Sequence, residues 1–206
     1  MHANTLINVS VKKRLGTFYL DSTLSDSGFI CLTGRNGSGK STLLKLISGL
    51  MRPDEGYVRV DSKDITNLPI EERGVVLVTP ESYFPHFQVS SHLVWGARTR
   101  KIAIEGMYVQ NVREMLGINY DGKMDKLSLG MRARVSLATA LLSRPRLILV
   151  DETFSSIDNR GEFIRSYSQL ARGKSEVLFT SQQADEDSKL ADHLYTIEEG
   201  KTKKQF

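Results

Sequence analysis

The sequence predicts an α/β fold with a parallel core sheet, and two patterns carry that prediction. Leu147–Val150 is apolar at every position, as in a strand covered on both faces. Strand-like and helix-like segments also alternate along the chain, the order of units whose crossovers are helices. Size agrees: 206 residues, 40% of them apolar and 25% charged, suit one domain that builds its core without staples.

The early chain reads as β structure. Residues 6–11 alternate apolar and polar, and 17–20 and Phe29–Thr33 are strand-like, separated by Asp26-Ser27-Gly28. Residues 40–50 place Leu43, Leu44, Ile47 and Leu50 on one helical face, with Gly49 and Pro53 at the exit. Residues 57–60 and 74–78 read as strands. Strand signals then vanish from 82 to 122, where 89–97 and 108–116 look helical and Gly106 and Gly117 read as breaks. A helix over 135–142 stops before Arg144-Pro145. The strand Leu147–Val150, a helix over 161–171 and a strand over 176–180 follow.

Composition removes several functional classes. Cys31 is the single cysteine, so neither an internal disulfide nor a cysteine-held zinc cluster is expected. Residues 1–5 are polar and Lys12-Lys13-Arg14 follows without an apolar stretch, which argues against a secretory signal. No apolar run reaches the ~18 residues of a membrane span, and a soluble intracellular chain is expected. The formal charge is +4, and its basic clusters are short and far apart, so no nucleic-acid partner is expected.

Gly34-Arg35-Asn36-Gly37-Ser38-Gly39-Lys40-Ser41 satisfies G-x-x-x-x-G-K-[ST], between a predicted strand and a predicted helix. Glycines let consecutive N–H groups face a polyphosphate, Lys40 brings a full charge to the β- and γ-phosphates, and Ser41 offers a hydroxyl to Mg²⁺, with Thr42 beside it in the first turn. Such a site needs a carboxylate on a strand beside the loop's own. Asp151, after Leu147–Val150, is placed to hold Mg²⁺ through water, and Glu152 to polarise the attacking water.

Between these motifs stands Leu127-Ser128-Leu129-Gly130-Met131, followed by Arg132-Ala133-Arg134-Val135-Ser136-Leu137-Ala138. It resembles the LSGGQ signature of ABC-transporter ATPases and the helix behind it. Asp151-Glu152-Thr153-Phe154-Ser155-Ser156-Ile157-Asp158 is similar to the family's DEPFSALD, and Leu190-Ala191-Asp192 with Glu198-Glu199-Gly200 to its closing element. The resemblance covers essentially the whole chain. It implies one ATPase domain over residues 1–206 with a RecA-like P-loop NTPase core, an antiparallel β lobe and a helical lobe spanning about 82–145. It also implies ATP and Mg²⁺ as cofactors, Asp158 in the D-loop, and Ser128 and Gly130 as a second anion site for ATP held by another subunit. Partners implied are a second ATPase subunit, in a homo- or heterodimer, and an integral membrane permease, with the chain itself cytoplasmic and peripheral on the inner face of the cell membrane. Phe84-Pro85-His86-Phe87-Gln88-Val89 is similar to LFPHLTV of molybdate, tungstate or sulfate-type importers, where the permease docks. Other readings stand beside it: a haem or drug exporter ATPase, a soluble non-transport ABC ATPase, and an ATP-binding regulator with impaired catalysis.

Three positions depart from the family pattern. Thr79 takes the place of the Q-loop glutamine, with a hydroxyl still able to reach Mg²⁺. Counting from the strand at 176–180 puts Ser181 at the switch histidine as the catalytic candidate, whereas counting back from Leu190 gives Gln182. Thr153 stands where proline is usual. Removing a preorganised group at the γ-phosphate commonly costs ~10²–10³ in rate, so slow or partner-dependent hydrolysis is expected. For the adenine, Leu15 occupies the usual aromatic position and Phe18 is the candidate for stacking.

Overall fold

The structure, a computed structural model, describes residues 6–182 and 184–206; the polar stretch at residues 1–5 lies outside the described residues, as does residue 183. In chain order the strands are β1 (Ile7–Leu15), β2 (Phe18–Asp26), β3 (Phe29–Thr33), β4 (Glu55–Val60), β5 (Lys63–Asp64), β6 (Val75–Val78), β7 (Leu147–Val150), β8 (Glu176–Ser181), β9 (His193–Glu198) and β10 (Lys201–Lys204). The helices are α1 (Lys40–Ser48), α2 (Val89–Thr99), α3 (Gly106–Met115), α4 (Leu129–Leu142), α5 (Arg160–Ala171) and the short α6 (Ala184–Asp187).

Two sheets organise the chain. The smaller is antiparallel in the order β2-β1-β4-β5, and the larger runs β10-β9-β3-β8-β7-β6. In the larger sheet β9, β3, β8, β7 and β6 are parallel, and β10 closes one edge antiparallel to β9. Its strands are apolar because both faces are covered. Phe29 and Cys31 face a core shared with α2, α4 and α5, while Ile30 and Leu32 face one shared with α1 and the antiparallel sheet. Ile148 and Val150 divide from Leu147 and Leu149 in the same way.

The predicted α/β class and the helical stretch between β6 and β7 agree with this architecture. Three details differ. Gly106 opens α3 rather than breaking it, and α4 begins at Leu129 because the Ser128 hydroxyl caps it, accepting from Met131 N at 3.2 Å. The third concerns strand order: β8 lies between β3 and β7, so Asp151 does not extend from the strand next to the glycine loop's. Strands β9 and β10 carry too little apolar periodicity to stand out in the sequence.

At its far end α1 is held by a buried guanidinium. Arg73, 4% exposed, donates from Nη1 to Leu46 O and Ile47 O, from Nε to Leu68 O and from Nη2 to Thr66 O. Gly49 ends the helix at φ 88°, and a Cβ there would run into that guanidinium. Replacing Arg73 with Met keeps bulk but strands these carbonyls. The variant is expected to lose about 2–3 kcal/mol of stability, read as a lower urea midpoint.

Candidate functional site

The phosphate loop is shaped by its glycines and closed over by its own lysine. Gly37 and Gly39 take φ of 79° and 111°, and a Cβ on Gly39 would sit 3.0 Å from Phe18 Cζ. Lys40, the first residue of α1 and 5% exposed, turns back so that Nζ donates to Gly34 O at 2.8 Å and Arg35 O at 3.1 Å. Among the described residues no carboxylate pairs with it. Ser38 Oγ is buried and has no hydrogen-bond partner among the described residues. A buried ammonium without a counter-charge and an orphaned hydroxyl, both at a helix N-terminus, are the features of an anion site. Asn36 is exposed at the loop's tip, and Ser41 and Thr42 are half-buried in the first turn of α1.

The acidic half lies at the ends of β6, β7 and β8. Asp151 N donates to Val78 O at 2.8 Å, so Thr79 stands alongside Asp151. The Thr79 hydroxyl is 3.2 Å from Ser82 Oγ. Thr180 Oγ1 donates to Asp151 Oδ1 at 3.0 Å and accepts from Glu152 N at 2.8 Å, tying both acidic positions to β8. Glu152 has φ 52°, a left-handed conformation that costs a residue with a side chain about 1–2 kcal/mol. Next to it the Thr153 hydroxyl donates to Val78 O at 3.2 Å, fixing the turn where the family has proline. Thr180 was not singled out from the sequence, because a threonine in an apolar strand reads as an ordinary β-former.

Ser181, the catalytic candidate from the sequence, directs its hydroxyl toward the end of α6. Its hydroxyl is buried and donates to Asp187 Oδ2 at 2.6 Å, next to the Asp187–Arg160 ion pair. Gln182 is the residue that reaches Glu152, its Nε2 donating to Oε1 at 2.9 Å. The reason is strand parity. Ser181 pairs with Thr33 as the last residue of β8, and successive side chains of a strand point to opposite faces. Counting back from Leu190 gives the residue that the structure turns toward the carboxylate.

The second anion motif opens α4. Gly130 lies so close to the segment after β7 that a Cβ would sit 2.7 Å from Ser156 O, and Arg134 Nη2 donates to Asp158 O at 2.8 Å. Asp158 itself is exposed, and Leu129 is left 48% exposed beside the Ser128 cap. Phe18 is half-buried against Gly39, whereas Tyr19 is exposed with Arg14 over its ring at 5.4 Å.

Beyond Thr79 lies an aromatic surface. Phe84, 40% exposed, meets Trp95 edge-on at 4.6 Å and Phe87 at 4.9 Å. Beneath them His92 is buried with Nδ1 2.9 Å from Thr139 Oγ1, and burial pushes its pKa down to about 4. A broad groove lies elsewhere, where β3, β8 and β9 begin. Among its acids Asp61 and Asp192 are paired with Arg146 and Arg172, and neither the phosphate loop nor the Asp151–Glu152 group lines it.

A parallel sheet covered on both faces, a glycine loop entering a helix and carboxylates at a strand end define a phosphate-binding-loop NTPase. The match to known proteins is narrower. The ABC transporter family model matches residues 19–155, more than half of the chain, and the chain belongs to that family. It is 36% identical over 209 residues to the molybdenum import ATP-binding protein ModC of Paramagnetospirillum magneticum, covering 95% of this chain and 58% of that protein. It is 41% identical over 157 residues to the molybdate/tungstate import ATP-binding protein WtpC of Archaeoglobus fulgidus, covering 74% of this chain and 65% of the other. The chain thus spans about three fifths of the length of these relatives. Among solved structures, MJ1267, an ATP-binding cassette of an ABC transporter in its ADP conformation, superposes with a TM-score of 0.77 at 25% identity, covering 98% of this chain and 90% of that one. Among the described residues no helix is long and apolar enough to cross a membrane.

His92 makes stability depend on pH. Folded, it stays neutral down to about 4, whereas an unfolded histidine protonates near 6.5, so its contribution is complete above 6.5 and is lost as pH falls toward 4. Between pH 6.5 and 5 the loss is expected to be about 2 kcal/mol. Urea unfolding across that range should show it, with a flatter dependence in His92→Gln.

Proposed function

We propose that this chain is the ATP-binding and ATP-hydrolysing subunit of an ABC transporter, one ATPase domain over residues 1–206 that powers a separate permease. The observation that carries the proposal is Lys40: a buried cation, held among the described residues by its own loop's carbonyls, exchanges those bonds for phosphate oxygens when ATP binds. Ser38 Oγ gains a partner in the same step. The hydroxyls of Ser41 and Thr79 and the carboxylate of Asp151 are the hard oxygen donors that suit Mg²⁺. Held by these residues, the ion would neutralise negative charge on the phosphates.

The remaining roles follow from position. Glu152 accepts a proton from the attacking water, its carboxylate oriented by Gln182 Nε2 and its backbone by Thr180 Oγ1. Gln182 is neutral and takes the switch position, so hydrolysis proceeds without an imidazole there and is slow or depends on a partner. Ser128 and Gly130 are offered to ATP on a second subunit, with exposed Leu129 and Asp158 at that interface. Phe84, Phe87 and Trp95 form an apolar surface suited to a permease segment, which puts the chain on the inner face of the membrane. The relatives' names point to an oxyanion of molybdate or tungstate type as cargo and to import as direction. Phe18 remains the candidate for stacking on adenine.

Single-turnover hydrolysis of bound ATP tests this reading. Glu152→Gln is expected to bind ATP and hydrolyse it about 10²–10⁴-fold more slowly, and Lys40→Met to lose binding. Gln182→Ala should slow turnover about 10–100-fold, the usual cost of losing an orienting partner. Gln182→His should quicken it and add a pH dependence near neutrality. Failure of the wild type to bind ATP with Mg²⁺ would falsify the proposal.

A further inference from the structure

A pair of side chains outside the nucleotide contacts joins the segment after β6 to the start of α4. Tyr83 sits between Ser82, which bonds Thr79, and Phe84, which heads the aromatic surface. Whereas Phe84 is exposed, Tyr83 turns inward against the core. There Arg132, the fourth residue of α4, lays its guanidinium over the ring at 4.7 Å and donates from Nη1 to the phenolic oxygen at 2.7 Å. Arg132 N meanwhile donates to Ser128 O at 2.9 Å, so the same residue closes the first turn of the helix that carries Ser128 and Gly130.

The pairing is incomplete in an informative way. Arg132 Nε is buried and has no hydrogen-bond partner among the described residues. A buried donor left unmade is costly, and the guanidinium therefore gains from any rearrangement of the first turn that supplies Nε with an acceptor. Its neighbours on the same helix are satisfied: Tyr120 Oη donates to Met131 O at 2.9 Å, and Arg134 donates to Leu116 O and Asp158 O, each at 2.8 Å. Of these three side chains at the start of α4, the strut toward the aromatic surface carries the unmet donor among the described residues. Energetic coupling between two sites requires an element able to take a second arrangement, and the unmet Nε gives this strut a reason to take one.

We infer that Tyr83 and Arg132 are a positioning pair that couples the orientation of the Ser128–Gly130 end of α4 to the exposed aromatic surface around Phe84. ATP engaged by the Ser128 end of one subunit then moves the aromatic surface of that subunit. Displacement of that surface reorients the Ser128 end by the same free energy, because coupling is reciprocal. This rests on the proposed ATP-dependent pairing of subunits.

Trp95, the chain's single tryptophan, packs on Phe84 and reports on that surface by its emission. The experiment uses the full chain carrying Glu152→Gln, which retains ATP, with binding followed by a fluorescent ATP analogue and pairing by sedimentation. Adding ATP and Mg²⁺ is expected to shift Trp95 emission as pairs form. Tyr83→Phe removes only the hydroxyl, and Arg132→Lys keeps the charge but loses the planar fork. Each should bind ATP and pair, yet lose the emission shift, and the double variant should be no worse than either alone. An unchanged shift in both single variants overturns the inference, as does a parent that binds ATP and pairs without any shift. A parent that binds no ATP overturns the functional proposal instead. Thermal unfolding of each variant separates loss of coupling from loss of fold, and Arg132→Met, which keeps the stem without the charge, stands in for any variant that does not fold.

Discussion

Covering the large sheet on both faces is the constraint from which the rest of the molecule follows. A strand whose alternate residues enter two different cores has no room for a charge along its length, so polar chemistry collects where strands end. Thr33, Val78, Val150 and Ser181 are the last residues of β3, β6, β7 and β8, and the phosphate loop, Thr79, Asp151 with Glu152, and Gln182 each begin directly after one of them. The sheet also explains why these groups are backed by hydroxyls. Thr180 and Thr153 are small enough to be buried in the sheet's end and still give Asp151 and Glu152 fixed partners.

Within that frame, the loop before α1 solves a harder problem, keeping an ammonium buried without a carboxylate. A carboxylate partner would be the cheapest way to stabilise Lys40, and it would also compete with phosphate. Carbonyl oxygens of Gly34 and Arg35 stabilise the charge less completely and yield to an anion more readily. Arg73 meets the opposite demand at the other end of the same helix, where many carbonyls share one cation and nothing has to leave.

Much of this was legible in the chain. The phosphate loop, the apolar strand before Asp151 and the Ser128 motif are local patterns whose chemistry lies in their spacing, and the α/β class follows from apolar runs that only a doubly covered sheet explains. What escaped is non-local. Nothing near Leu147–Val150 says that β8 rather than β3 is its neighbour, since strand order is set by where crossovers pass. The exchange of Ser181 for Gln182 turned on one residue of parity at a strand end, which depends on where pairing with Thr33 stops. Arg132 and Tyr83 are far apart in sequence, and each reads alone as an ordinary surface residue.

The position of β8 has a wider consequence. Because it separates the strand that leads to the phosphate loop from the strand that leads to Asp151 and Glu152, the proposed function divides holding the nucleotide from consuming it between different strands, with β8 as the go-between. The two properties are therefore separately evolvable. On that proposal, a lineage can slow, quicken or silence turnover by changing the tip of one strand while the grip on ATP stays as it was, and glutamine at that tip is one setting of such a dial.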